Sequence, residues 1–105
     1  MDEVSLEAIL HALSDPVRLA ILFDIASAGC VQTCNAFALV NDRAVPKSSL
    51  SQHFRVLREA GLIRSERRGV EMQNTPRCME IEARFPGLLR GILTAYASQT
   101  GRAPP

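Results

Sequence analysis

The sequence predicts a mainly α-helical domain with one small β-hairpin, and three observations lead there. Apolar residues recur at helical spacing in several stretches, the period changes to two only between residues 62 and 74, and Pro, Ser, Asp and Gly punctuate the chain between them. A chain of 105 residues holds one domain rather than two with separate cores. Trp is absent and 47% of residues are hydrophobic, so the core must come from Leu, Ile, Val and Ala, which suits packed helices.

Leu6, Ile9, Leu10 and Leu13 predict an amphipathic first helix over residues 5–13. Ser14-Asp15-Pro16 then restarts the chain: Ser14 or Asp15 can cap orphan amides, and Pro16 fits a first helical turn, where its missing N–H costs nothing. The next helix carries Val17, Leu19 to Phe23, Ile25 and Ala26, apolar around most of its circumference, with Gly29 as the expected C-cap. Residues 34–40 are expected to form a short helix capped by Thr33, with Phe37 and Val40 on one face, broken at Asn41-Asp42-Arg43. Pro46 opens a further helix, Lys47 to Ala60, whose buried stripe is Leu50, Phe54 and Leu57; Gly61 ends it.

Two strands, 62–67 and 70–74, are expected about a turn at Arg68-Gly69, where glycine supplies a positive φ. A last helix, about 86–98, starts at Pro86 with Leu88, Leu89, Ile92, Leu93, Tyr96 and Ala97 as its apolar band. Gly87 and Gly91 beside that band would allow close backbone approach, and the tail Arg102–Pro105 is expected to fray. In order, these elements give a winged helix-turn-helix outline: helix-turn-helix about 34–60, wing about 62–75, and terminal helices available for pairing of two copies.

The net charge of +1 conceals a polarity. Residues 43–77 carry eight basic and three acidic side chains, net +5, while the remainder is net −4. A directional field of this kind suits a polyanion docked on one face. No apolar run approaches the roughly 20 residues that span a bilayer. The acidic start Met1-Asp2-Glu3 lacks the basic segment of a secretory signal, and three Cys make an odd number, so a cytoplasmic location without a disulfide framework is expected.

The helix opening at Pro46 carries the chemistry. It presents Lys47, Ser48, Ser49, Ser51, Gln52, His53 and Arg55 while Leu50 and Phe54 turn inward. Short hydroxyl side chains let a helix sit deep in the major groove, Gln can bond an adenine edge twice, and Lys or Arg can reach guanine or phosphate. Arg67, Arg68 and Gly69 at the hairpin tip form a second contact, suited to the backbone or the minor groove. Each feature has a plainer reading, as helix-capping serines or as charges protecting a sheet edge. Double-stranded DNA is the expected partner, with a protein-interaction module as the alternative. An enzyme is not expected: there is no Gly-rich phosphate loop, no H-E-x-x-H, and no reason for His11 or His53 to approach Cys30 or Cys34.

Asp15-Pro16-Val17-Arg18-Leu19-Ala20-Ile21-Leu22, followed by the run from Ser49 to Ile63 with Ser51-Gln52-His53-Phe54 and Ala60-Gly61-Leu62-Ile63, resembles the ArsR family of bacterial winged-helix repressors. The resemblance spans about residues 5–98. It implies a homodimer built from the first and last helices, recognition helices spaced for successive major grooves, and a repressor released by a ligand or a chemical change. By position, Lys47, Ser48, Ser49, Ser51, Gln52 and His53 match the family's DNA-reading face and Arg67, Arg68 and Gly69 its wing. The motif casts His53 mainly as a residue that fixes the helix, and Asp15 and Arg18 as capping and pairing residues.

A zinc site on the last helix would need His and carboxylates there, and the sequence has neither after Arg84, so no metal site is assigned. Where relatives carry Cys-x-Cys, this chain has Cys30-Val31-Gln32-Thr33-Cys34. The two thiols are candidates for a redox or persulfide sensor or for a soft ion such as arsenite; buried packing is the plainer reading, and Cys78 has no defined place relative to them. No other cofactor is expected.

Overall fold

The computed structural model describes residues 4–28, 32–33, 39–40, 43–44, 46–69 and 71–103. Ser5 caps the first helix, α1 (Leu6–Leu13), its Oγ accepting from Ala8 N at 3.1 Å. Ile9, Ala12 and Leu13 are buried, whereas Leu6 and Leu10 stay exposed, so the apolar stripe is split between core and surface. Asp15 Oδ1 then accepts from Val17 N at 2.8 Å and Arg18 N at 3.2 Å, capping α2 (Pro16–Ala28) as expected. Ala20 to Phe23 and Ile25 are each no more than 1% exposed, which makes α2 the central core helix. Gly29 lies outside the described residues.

The stretch expected as a short helix differs. Residues 34–38, including Phe37, lie outside the described residues, but Leu39 and Val40 are extended rather than helical. Strand β1 (Gln32–Thr33) pairs antiparallel with the wing, and β2 (Leu39–Val40) pairs with β3 (Arg43–Ala44). Local apolar spacing cannot report the pairing of β1, because its partner strand lies about forty residues downstream.

Helix α3 (Lys47–Glu59) buries Leu50, Phe54 and Leu57, as their i, i+4, i+7 spacing predicts. Its end is a Schellman motif: Leu62 N donates to Leu57 O and Gly61 N to Arg58 O, both at 3.0 Å, with Gly61 at φ +83°. Strands β4 (Ile63–Arg68) and β5 (Glu71–Pro76) follow in antiparallel register from Ile63↔Pro76 to Arg68↔Glu71. That register leaves residues 69–70 as the connection, one position later than expected. Arg68 is therefore a strand residue, and Gly69, at φ +65°, is the first connecting position, where a hairpin matched to strand twist calls for glycine. The sheet order is β1-β5-β4, so the wing has a third strand.

A helix absent from the expectation, α4 (Cys78–Arg84), precedes α5 (Leu88–Thr100), whose first residue, Leu88, is two positions later than the expected Pro86. Leu89, Leu93, Tyr96 and Ala97 are buried and Leu88 and Ile92 half-buried, with the Tyr96 ring 5.0 Å from Phe23. Neither Gly87 nor Gly91 has another element's atoms within 4 Å of a would-be Cβ, so the expected close approach does not occur among the described residues. The tail is not frayed at Arg102, which ion-pairs with Asp24 at 2.7 Å and lies 4.5 Å over the Phe23 ring.

Candidate nucleic-acid interface

Burying Leu50, Phe54 and Leu57 forces the opposite side of α3 outward, and Ser48, Ser51, Gln52, Arg55, Arg58 and Glu59 are all exposed there. These side chains line one shallow depression along the helix. Ser49, His53 and Val56 are half-buried on the flank between the two faces. The face expected to meet a groove is thus divided: Ser48, Ser51, Gln52 and Arg55 form its crest, while Ser49 and His53 stand at its edge. The side chain of Lys47 lies outside the described residues. Arg58 was missed by the sequence reading, although its place three residues after Arg55 on the same stripe was the available signal.

The plainer reading of Ser48 and Ser49 as caps does not hold. Pro46 occupies the N-cap and makes no side-chain hydrogen bond, which places Ser48 and Ser49 inside the first turn of α3 rather than at its cap. His53 Nδ1 instead lies 3.4 Å from Nη1 of Arg18, whose Nε donates to Ala12 O at 2.7 Å. Arg18 therefore reaches back to α1 and across to α3; the pairing expected of it is with carbonyls and a ring rather than with Asp15.

The basic residues of the central stretch divide by their partners. Arg55 pairs with Glu59 at 3.3 Å, one turn along α3, and remains 72% exposed. Arg64 and the largely buried Arg77 both engage Glu80 of α4. The hydrogen bond from Arg77, aided by the charges of Arg77 and Arg64, holds the Glu80 carboxyl below the usual glutamate range. Arg58 and Arg67 are exposed and have no ion-pair partner among the described residues, which leaves their charge for an external anion. Arg67 sits beside the hairpin connection with Gly69; the side chain of Arg68 lies outside the described residues. Behind the wing, Asn74 is fully buried in the middle strand and accepts from Ser65 Oγ at 2.5 Å.

The candidate sensor thiols Cys30 and Cys34 lie outside the described residues. Cys78, at the start of α4, is half-buried, and that burial, with the Glu82 carboxylate adding, pushes its thiol above the ordinary range. It is a poor nucleophile at neutral pH. Among the described residues no helix is long and apolar enough to cross a membrane, and no cluster of three or more His, Cys, Asp or Glu side chains is placed to hold a metal.

Comparison with known proteins matches this geometry. Residues 13–66 match the helix-turn-helix domain family, covering α2, α3 and most of β4. The HTH-type transcriptional repressor SmtB of Mycobacterium tuberculosis is 38% identical over 64 residues, 61% of this chain and 44% of the relative, so the match spans less than half of that relative's length. The crystal structure of NolR from Sinorhizobium fredii superposes with a TM-score of 0.65 at 24% identity, covering 98% of this chain and 100% of that one. An ArsR-like transcriptional regulator from Rhodococcus sp. RHA1 does so with a TM-score of 0.59 at 22% identity, covering 93% of each chain. The chain belongs to the helix-turn-helix domain family and has the winged-helix fold of ArsR-type regulators.

Proposed function

We propose that this protein is a sequence-specific, double-stranded-DNA-binding transcriptional regulator of the ArsR type, a cytoplasmic homodimer without enzymatic activity that represses its target genes. One observation carries the reading: α3 turns a stripe of short hydroxyls, one glutamine and two arginines outward, next to a hairpin with exposed Arg67 near its tip. Ser48 and Ser51 let the backbone of the helix approach base edges, Gln52 is the base reader, and Arg55 and Arg58 reach guanine or phosphate. The amino end of α3, whose N-cap Pro46 offers no side-chain cap, directs amides and a positive dipole at the phosphate backbone. Arg67, with Arg68 and Gly69, follows the neighbouring backbone or enters the minor groove. The relatedness to a named repressor supports the same reading. Release from DNA by a ligand, or by modification or soft-ion capture at Cys30 and Cys34, is part of the proposal and rests on sequence spacing alone.

The test is anisotropy of labelled duplexes selected from genomic DNA, titrated at several salt concentrations. Binding should weaken steeply with salt, and replacing Arg58 or Arg67 with Ala should lower the log–log slope by about one each. Gln52→Ala should erase about 1–3 kcal/mol of discrimination at a single base pair. Absence of duplex binding would instead support a protein-interaction module.

A further inference from the structure

The Arg18 side chain touches both the end of α1 and the candidate reading helix. Its backbone amide is held by Asp15 Oδ1, which fixes the start of α2. From there the guanidinium reaches back to the last turn of α1, where Nε donates to Ala12 O at 2.7 Å and Nη2 to His11 O at 3.4 Å. These are carbonyls that a helix of eight residues leaves without intrahelical partners. The third nitrogen, Nη1, lies 3.4 Å from Nδ1 of His53 on α3. A guanidinium has donors only, so this contact is a hydrogen bond in the His53 tautomer that leaves Nδ1 without a proton.

We propose that Arg18 is a positioning residue for DNA recognition: its guanidinium clamps the end of α1 to His53, so that the placement of α3 follows that of α1. This rests on the DNA-binding reading above. His53 stands on the flank of α3, adjacent in sequence to exposed Gln52 and one turn after half-buried Ser49, so a rotation of its ring or its turn shifts the crest. The clamp also leaves His53 one donor of settled position, Nε2–H.

Two measurements test this. In the DNA-free protein, nitrogen-15 NMR of the His53 ring should show an unprotonated Nδ1 and a protonated Nε2, and Arg18→Ala should remove that preference. A protonated Nδ1 in the parent overturns the clamp. In duplex binding, Arg18→Ala and His53→Ala should each lower affinity about tenfold, and the double variant should lose no more than either alone. Independent losses multiplying to about a hundredfold overturn it. Should Arg18→Ala fail to fold, the tautomer of the parent protein decides. Should the parent bind no duplex, the functional reading fails while the tautomer still judges the clamp.

Discussion

Gly61 shows how one residue can hold two elements in place. It sits at φ +83°, accessible without strain to glycine, and its amide closes the end of α3. A Cβ there would lie 2.8 Å from Cγ2 of Val4, the residue that leads into α1. Gly61→Ala therefore meets both an unfavourable backbone and an overlap, and should destabilise the fold by about 1–3 kcal/mol in urea unfolding. Unchanged stability would mean that neither the cap nor the packing against Val4 matters. Gly61, like the Asp15 cap, is legible from sequence, because each meets a local backbone need. The burial of Asn74 is not: its place in the middle strand depends on β1 arriving from the other side, and its Oδ1 is satisfied by Ser65, nine residues away.

At the scale of elements, α4 explains why periodicity is an incomplete guide. Its seven residues contain one fully buried anchor, Ile81, and a single apolar position establishes no period. The helix is secured instead by packing on α5 and by Glu80, which gathers Arg77 and Arg64 at the base of the wing. The depressed Glu80 pKa makes that junction pH-dependent. A carboxyl whose pKa is lower folded than unfolded contributes stability above the ordinary glutamate value, and loses it as pH falls through the lower, folded value. Acid unfolding of the parent should thus include a component between those two values that Glu80→Gln lacks, read as a smaller change in melting temperature from neutral to acid pH. Equal acid sensitivity would place the ion pairs outside the stability of the fold.

At the scale of the molecule, α1 exposes Leu6 and Leu10 one turn apart, and α5 leaves Gly91 open. Both helices lie at the chain's ends, where the family resemblance implies pairing of two copies. In a two-fold interface each substitution counts twice. Leu10→Glu should then raise the dimer dissociation constant on the order of a hundredfold in sedimentation equilibrium. No change in the distribution of species would remove α1 from the interface.

By itself the sequence determined what local physics determines: the caps at Asp15 and Gly61, the helices around Leu50–Phe54–Leu57 and Leu89–Leu93, the hairpin, and the polar stripe from Ser48 to Arg55. Each follows from periodicity or backbone preference within one or two turns of chain. Only the tertiary structure decided which of those polar residues stand on the crest and which on the flank, that Arg64 and Arg77 belong to Glu80, and that Arg18 reaches His53. Those outcomes depend on distances between segments up to thirty-five residues apart, which are set when helices and strands pack and which no local pattern encodes.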